Sequence, residues 1–137
     1  MILDSSALIA IVADEPEQPS YTRAIAAADR VRISATTLVE VFSVLDRRPD
    51  PAHSRRLDRL LAQQHVVVEP FTEPQSRIAR EAYRDFGRGS GHPAGLNLGD
   101  CFAYALAKDA DEPLLYKGNG FGHTDVRSVF PGGRVPG

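Results

Sequence analysis

Asp4, Glu40 and Asp100 are the residues of this 137-residue chain whose types and spacing could do chemistry together. Asp4 follows the apolar run Ile2-Leu3, Glu40 comes soon after Val31-Arg32-Ile33, and Asp100 opens the helical segment that begins at Asn97. Singly, each fits a helix cap. Asp4 can cap the helix it precedes, Glu40 can complete the box Thr37-x-x-Glu40, and Asp100 can sit beneath the N-cap Asn97. Together they suggest something else, because three neighbouring carboxylates repel and raise one another's pKa unless a cation lies between them. Oxygen donors without His or Cys suit Mg²⁺ or Mn²⁺ rather than zinc. An ion held by few carboxylates keeps waters that can be activated or exchanged for phosphate oxygens, which suits phosphodiester hydrolysis. Spacing alone leaves capping and metal binding both open.

The elements that must position these acids are written in the periodicity. Leu98, Cys101, Phe102, Ala105 and Leu106 recur as one buried helical stripe, with Asp100 off it. Ile2-Leu3 reads as a buried strand, with a helix from near Asp4 that ends at Asp14-Glu15-Pro16. A second helix is expected over Ser20 to Ala28, and a strand at Val31-Arg32-Ile33. Leu38, Val41, Phe42 and Leu45 mark a helix closed by Pro49 and Pro51; Leu57, Leu60 and Leu61 mark another over Ala52 to Gln64. Val66-Val67-Val68 reads as a buried strand, Pro74 opens a helix, and Pro113-Leu114-Leu115-Tyr116 is a further strand. Strands alternating with helices predict an α/β fold, a parallel sheet flanked by helices on both faces. Ligands of such sheets gather beyond the carboxyl ends of the strands, where all three acids could face one crevice. No repeat or linker divides the chain, so residues 1–130 read as one domain and the Gly/Pro-rich 131–137 as a flexible tail.

Composition removes several competitors. With 16 Lys and Arg against 18 Asp and Glu, the net charge of −2 excludes a general polyanion binder. The bases are unevenly placed, with Arg47, Arg48, Arg55, Arg56 and Arg59 together in one stretch. The single cysteine, Cys101, lies on the apolar stripe and excludes an internal disulfide. No Ser-His-Asp order, Walker loop or dinucleotide glycine fingerprint is present. A phosphatase with Asp4 as nucleophile is disfavoured, since Asp4-Ser5-Ser6 lacks a second acid two residues on. Met1 runs into Ile2-Leu3-Asp4 without a basic, cleavable leader, and no membrane-length apolar run follows, so a cytoplasmic protein with no membrane contact is expected.

Four stretches carry a family resemblance. They are Ile2-Leu3-Asp4-Ser5-Ser6-Ala7-Leu8, Ser34-Ala35 through Glu40, Gly87-Arg88-Gly89 through Asn97-Leu98-Gly99-Asp100-Cys101, and Pro113-Leu114-Leu115-Tyr116-Lys117-Gly118-Asn119. In combination they resemble the PIN-domain ribonucleases, and within them the VapC-type toxins of bacterial toxin–antitoxin pairs. The resemblance implies Mg²⁺- or Mn²⁺-dependent cleavage of RNA such as tRNA, a homodimer, and a cognate VapB-type antitoxin that inserts a segment into the acidic crevice. It places the acidic cluster on Asp4, Glu40 and Asp100, with Asp4 and Asp100 the principal metal ligands and Ser6 supporting the first aspartate.

One position departs from the pattern. Similar toxins carry an aspartate just before the position of Phe121, where this chain has Gly120. Asn119 and Asp125 are the candidates to offer oxygen in its place, and Arg88 and Lys117, which flank the crevice, are the candidates for RNA contact. The missing acid also sustains an alternative, a catalytically weakened PIN fold that binds antitoxin or RNA. His92 and His123 read as exposed loop residues.

Overall fold

The computed structural model describes residues 1–136. Ile2–Leu3 (β1), Arg32–Ser34 (β2), Val67–Glu69 (β3) and Leu114–Leu115 (β4) form a sheet in the order β3-β2-β1-β4, with every pairing parallel. The helices are Ser5–Val12 (α1), Gln18–Ala27 (α2), Ala35–Leu45 (α3), Ala52–Gln63 (α4), Glu73–Phe86 (α5) and Leu98–Ala110 (α6). Successive strand residues point to opposite faces, and the registers Ile2↔Leu114 and Leu3↔Leu115 keep like faces together. Ile2 and Leu114 pack with Ala79, Ala82, Leu96, Cys101 and Leu106 beneath α5 and α6, whereas Leu3, Ile33 and Leu115 pack with α1 to α4. Both faces of the sheet are therefore covered, as the periodicity implied.

This topology gathers helix N-termini at one edge. Parallel strands require each connecting helix to run back against them. α1 and α3 leave the carboxyl ends of β1 and β2, and α6 must begin at that same edge to feed β4. The chain reverses its direction of travel across the sheet between β1 and β4, the kind of switch point at which α/β proteins open a crevice.

Several local expectations change. α3 begins at Ala35 with Ser34 as N-cap, so the expected Thr37–Glu40 capping box does not form. Thr37 is buried inside the helix and Glu40 lies in its second turn, free for another use. The same helix stops at Leu45, ahead of Pro49, and α2 starts at Gln18, with Pro19 fitting its first turn. The valine-rich β3 is an edge strand rather than a buried one: Val67 and Val68 are each 46% exposed. Branched residues favour any strand, and composition does not separate edge from centre. Leu98 leaves the predicted stripe and is 55% exposed, because Ala103, Tyr104 and Ala107 are buried as well and α6 is enclosed nearly all round beyond its first turn. At the other end of the chain, Phe130 stacks on Tyr21, and the Ser20 hydroxyl donates to the Pro136 carbonyl at 2.8 Å.

Candidate active site

Asp4 stands where β1 gives way to α1, and its backbone N–H still belongs to the sheet, donating to Leu115 O at 3.0 Å. Its extended conformation lets the side chain cap α1: Oδ2 accepts from the Ser6 N–H at 3.0 Å and the Ser6 hydroxyl at 2.5 Å. Oδ1 is buried and has no partner. Burial is the main reason the Asp4 carboxyl is pushed up to about 7, opposed by the two Ser6 hydrogen bonds and reinforced by the charges of Asp100 and Glu40. Ser6 does double duty, for its Oγ also accepts from the Lys117 N–H at 2.9 Å. That hydroxyl ties the end of β1 to Lys117, two residues beyond β4.

Asp100 forms the capping box expected of it. Asn97 Oδ1 accepts from the Asp100 N–H at 2.8 Å, and Asp100 Oδ2 accepts from the Asn97 N–H at 2.9 Å. Capping uses one oxygen of the carboxylate and leaves the other. Burial raises the Asp100 pKa, while the bond from Asn97 and the charge of Arg88 hold it down. Arg88 reaches this position because Gly87 and Leu96 bridge across the loop, with the Arg88 N–H donating to Leu96 O at 2.8 Å. Glu40 comes from the second turn of α3. Burial, then the charge of Asp100, raises its pKa against the Ser5 hydroxyl, and its Oε1 is buried without a partner.

The fold thus brings Asp4, Glu40 and Asp100 within electrostatic reach of one another. Among the described residues, no group of three or more His, Cys, Asp or Glu side chains is assembled closely enough to hold an ion by itself. Two buried carboxylate oxygens that lack partners, on acids that disfavour one another's charge, are nevertheless what a cation would satisfy. The donor set fits a hydrated Mg²⁺ or Mn²⁺, which takes one or two carboxylates and keeps water in its other positions.

The remaining candidates are placed differently. Lys117 turns its ammonium to Glu15 at 2.6 Å and Glu17 at 3.1 Å. Asp125 accepts from the Tyr104 hydroxyl at 2.5 Å and from Lys108 at 3.1 Å, bonds that lower its pKa and commit both oxygens away from the acidic cluster. Asn119 is exposed in the turn after β4, lining a cavity with His123 and Arg127. His92 helps to build its loop, with Nδ1 accepting from the Ala94 N–H at 3.1 Å and the ring edge-on to Phe86. Ser5 carries no signal of its own in the sequence: nothing in Asp4-Ser5-Ser6 distinguishes the serine that faces Glu40 from the one that binds Asp4.

A small parallel sheet with three carboxylates gathered near its carboxyl edge defines a class, the α/β proteins whose site lies at a topological switch point. The particular family follows from comparison: the PIN domain model matches residues 1–127, and the chain belongs to the PIN domain family. It is 58% identical over 130 residues to Ribonuclease VapC28 of Mycobacterium tuberculosis, covering 95% of this chain and 98% of that protein. In fold it matches the crystal structure of Mycobacterium tuberculosis VapC20, a sarcin-ricin loop cleaving toxin, with a TM-score of 0.72 at 17% identity over 95% of this chain and 98% of that one. It also matches VapBC2 from Rickettsia felis, solved bound to a promoter DNA fragment, with a TM-score of 0.73 at 14% identity over 93% and 94% of the two chains. The resemblance read from the four sequence stretches is borne out. Among the described residues, no helix is long and apolar enough to cross a membrane.

Proposed function

We propose that this protein is the toxin endoribonuclease of a toxin–antitoxin pair, hydrolysing RNA phosphodiester bonds, with tRNA a candidate substrate, at Asp4, Glu40 and Asp100. The observation that carries the reading is the buried, unpartnered Oδ1 of Asp4, on a carboxyl that feels the charges of Asp100 and Glu40. Asp4 and Asp100 would hold the Mg²⁺ or Mn²⁺, and Ser6 fixes the Asp4 carboxylate by occupying its other oxygen. A bound divalent ion supplies Lewis-acid neutralisation of phosphate charge and a lowered pKa for water. Glu40, held above the usual carboxylate range, accepts the proton of the attacking water. Arg88, exposed and beside Asp100, meets a phosphate of the RNA backbone. In-line attack by the water oxygen forms the new P–O bond and breaks the P–O3′ bond, leaving a 5′-phosphate and a 3′-oxygen that takes a proton from solvent to become the hydroxyl. Lys117, engaged by two glutamates, serves the fold before it serves RNA.

The partner is a VapB-type antitoxin, supported by the VapC naming of the relatives and by the VapBC2 assembly among the structural neighbours. A homodimer is supported by exposed apolar side chains on α3 and α6, among them Val39 and Leu98. A weakened nuclease that retains only binding is favoured by one feature, Gly120 in place of an acid. Incubation of total tRNA with the purified protein and Mn²⁺ tests the choice. Fragments with 5′-phosphates that vanish with chelator or in Asp100→Asn support the enzyme. RNA or antitoxin binding without cleavage, in any divalent metal, supports the binding module.

A further inference from the structure

Gly99 occupies the second position of α6, inside a regular helix, where glycine is the poorest choice short of proline. Its backbone needs no left-handed conformation, so turn geometry does not account for it. Its surroundings do. A Cβ built on Gly99 would overlap Glu40 Oε2 and lie 2.5 Å from Glu40 Cδ and 3.0 Å from Oε1. No backbone atom stands among those contacts. The three atoms nearest the place of the absent side chain all belong to the end of the Glu40 side chain.

We infer that Gly99 is a positioning residue for Glu40: its missing side chain admits the Glu40 carboxylate to the first turn of α6, next to Asp100. The carboxylate has crossed from α3 to reach this place, and its Oε1 is buried there without a hydrogen-bond partner. The positive end of the α6 dipole lies at the same turn and favours the charge. Since the nearest obstacle to a methyl group is the tip of a flexible side chain, a larger residue at position 99 leaves the fold intact and turns Glu40 aside. Stability and site geometry therefore respond in opposite directions to the same atom. The inference rests on Glu40 belonging to the acidic site proposed above, as a supporting neighbour of the Asp4 and Asp100 ligands.

The test compares Gly99→Ala, Glu40→Gln and the double variant, each measured for Mn²⁺ affinity by electron paramagnetic resonance and for thermal unfolding. Gly99→Ala is expected to fold, with a melting temperature unchanged or raised by up to about 4 °C, as a better helix former. Its Mn²⁺ affinity is expected to fall about tenfold or more, the scale seen when a supporting contact of a metal site is lost. If Gly99 acts through Glu40, the double variant binds Mn²⁺ no more weakly than Glu40→Gln alone. Wild-type affinity in Gly99→Ala beside a loss in Glu40→Gln overturns the role of Gly99, as do losses that add in the double variant. Failure of Gly99→Ala to fold overturns it too, because the obstacle would then be the backbone. Full Mn²⁺ affinity in Glu40→Gln refutes instead the placement of Glu40 in the site.

Discussion

Replacing Asp4 with Asn separates the electrostatic cost of the site from its packing. Asp4 titrates near 7 in the fold against 3.8 when free, mainly because burial penalises its charge. Between those values the folded chain binds more protons than the unfolded one, so this group lowers stability as pH rises through that window. Once pH exceeds both values the cost is about 4 kcal/mol, of which about 2–3 kcal/mol accrues between pH 5 and pH 8. For a chain of this size that interval corresponds to a fall of about 8–10 °C in melting temperature. Asn keeps an acceptor for Ser6 and removes the titration, while its amide nitrogen inherits the unpartnered position of Oδ1 at a pH-independent cost of about 1–3 kcal/mol. Urea unfolding of both proteins in chelator from pH 5 to pH 8 measures the difference in slope, since Glu40 and Asp100 remain in both. The wild type is expected to lose about 2–3 kcal/mol more than Asp4→Asn across the interval. Mn²⁺ at about 100 times the wild-type Kd should then return about 2.7 kcal/mol to the wild type and no more than about 1.4 kcal/mol to Asp4→Asn, whose affinity is at least tenfold lower. Equal pH slopes would refute the reasoning, because Asp4 would then be ionised in the metal-free fold across the whole range.

Other residues make separable predictions. Ser6→Ala removes both hydroxyl bonds, to Asp4 and from Lys117, and should cost about 1–3 kcal/mol in urea unfolding. Lys117→Met should change stability by no more than about 1 kcal/mol, since its pairs are partly exposed, and leave the KM for RNA unaltered, whereas Arg88→Ala should raise that KM. Gly120→Asp adds the missing carboxylate beside Ala94 O, 3.1 Å from the new Cβ, so a lowered melting temperature is expected together with faster Mn²⁺-dependent cleavage. Leu57→Ala, at the fully buried position of α4, should cost about 2–5 kcal/mol without altering Mn²⁺ affinity.

What the sequence disclosed follows from the range over which each signal acts. Asp4 and Asp100 announce themselves locally, one by ending an apolar run and the other by the Asn97 capping box, and the strand–helix alternation then predicts the edge at which they gather. Glu40 is legible as an acid in the right unit, but the pattern Thr37-x-x-Glu40 offers it a capping box as well, which does not form because Ser34 starts the helix first. The partners of Lys117 lie about a hundred residues away in sequence, and those of Asp125 sit on α6. Nothing local distinguishes either side chain from a free surface charge. The pairing of Gly99 with Glu40 is likewise long-range, a space in one helix matched to a side chain from another. Exposure at β3 and at Leu98 depends on which neighbours the sheet and α6 acquire, and apolar pattern alone treats these residues as core.

The most direct measurement is Mn²⁺ binding by the purified protein at pH 8, compared with Asp4→Asn and Asp100→Asn under conditions where circular dichroism shows all three folded. Saturable binding by the wild type, weakened at least tenfold in both variants, is the expected result. Undiminished Mn²⁺ affinity in either variant would contradict the placement of the metal between Asp4 and Asp100.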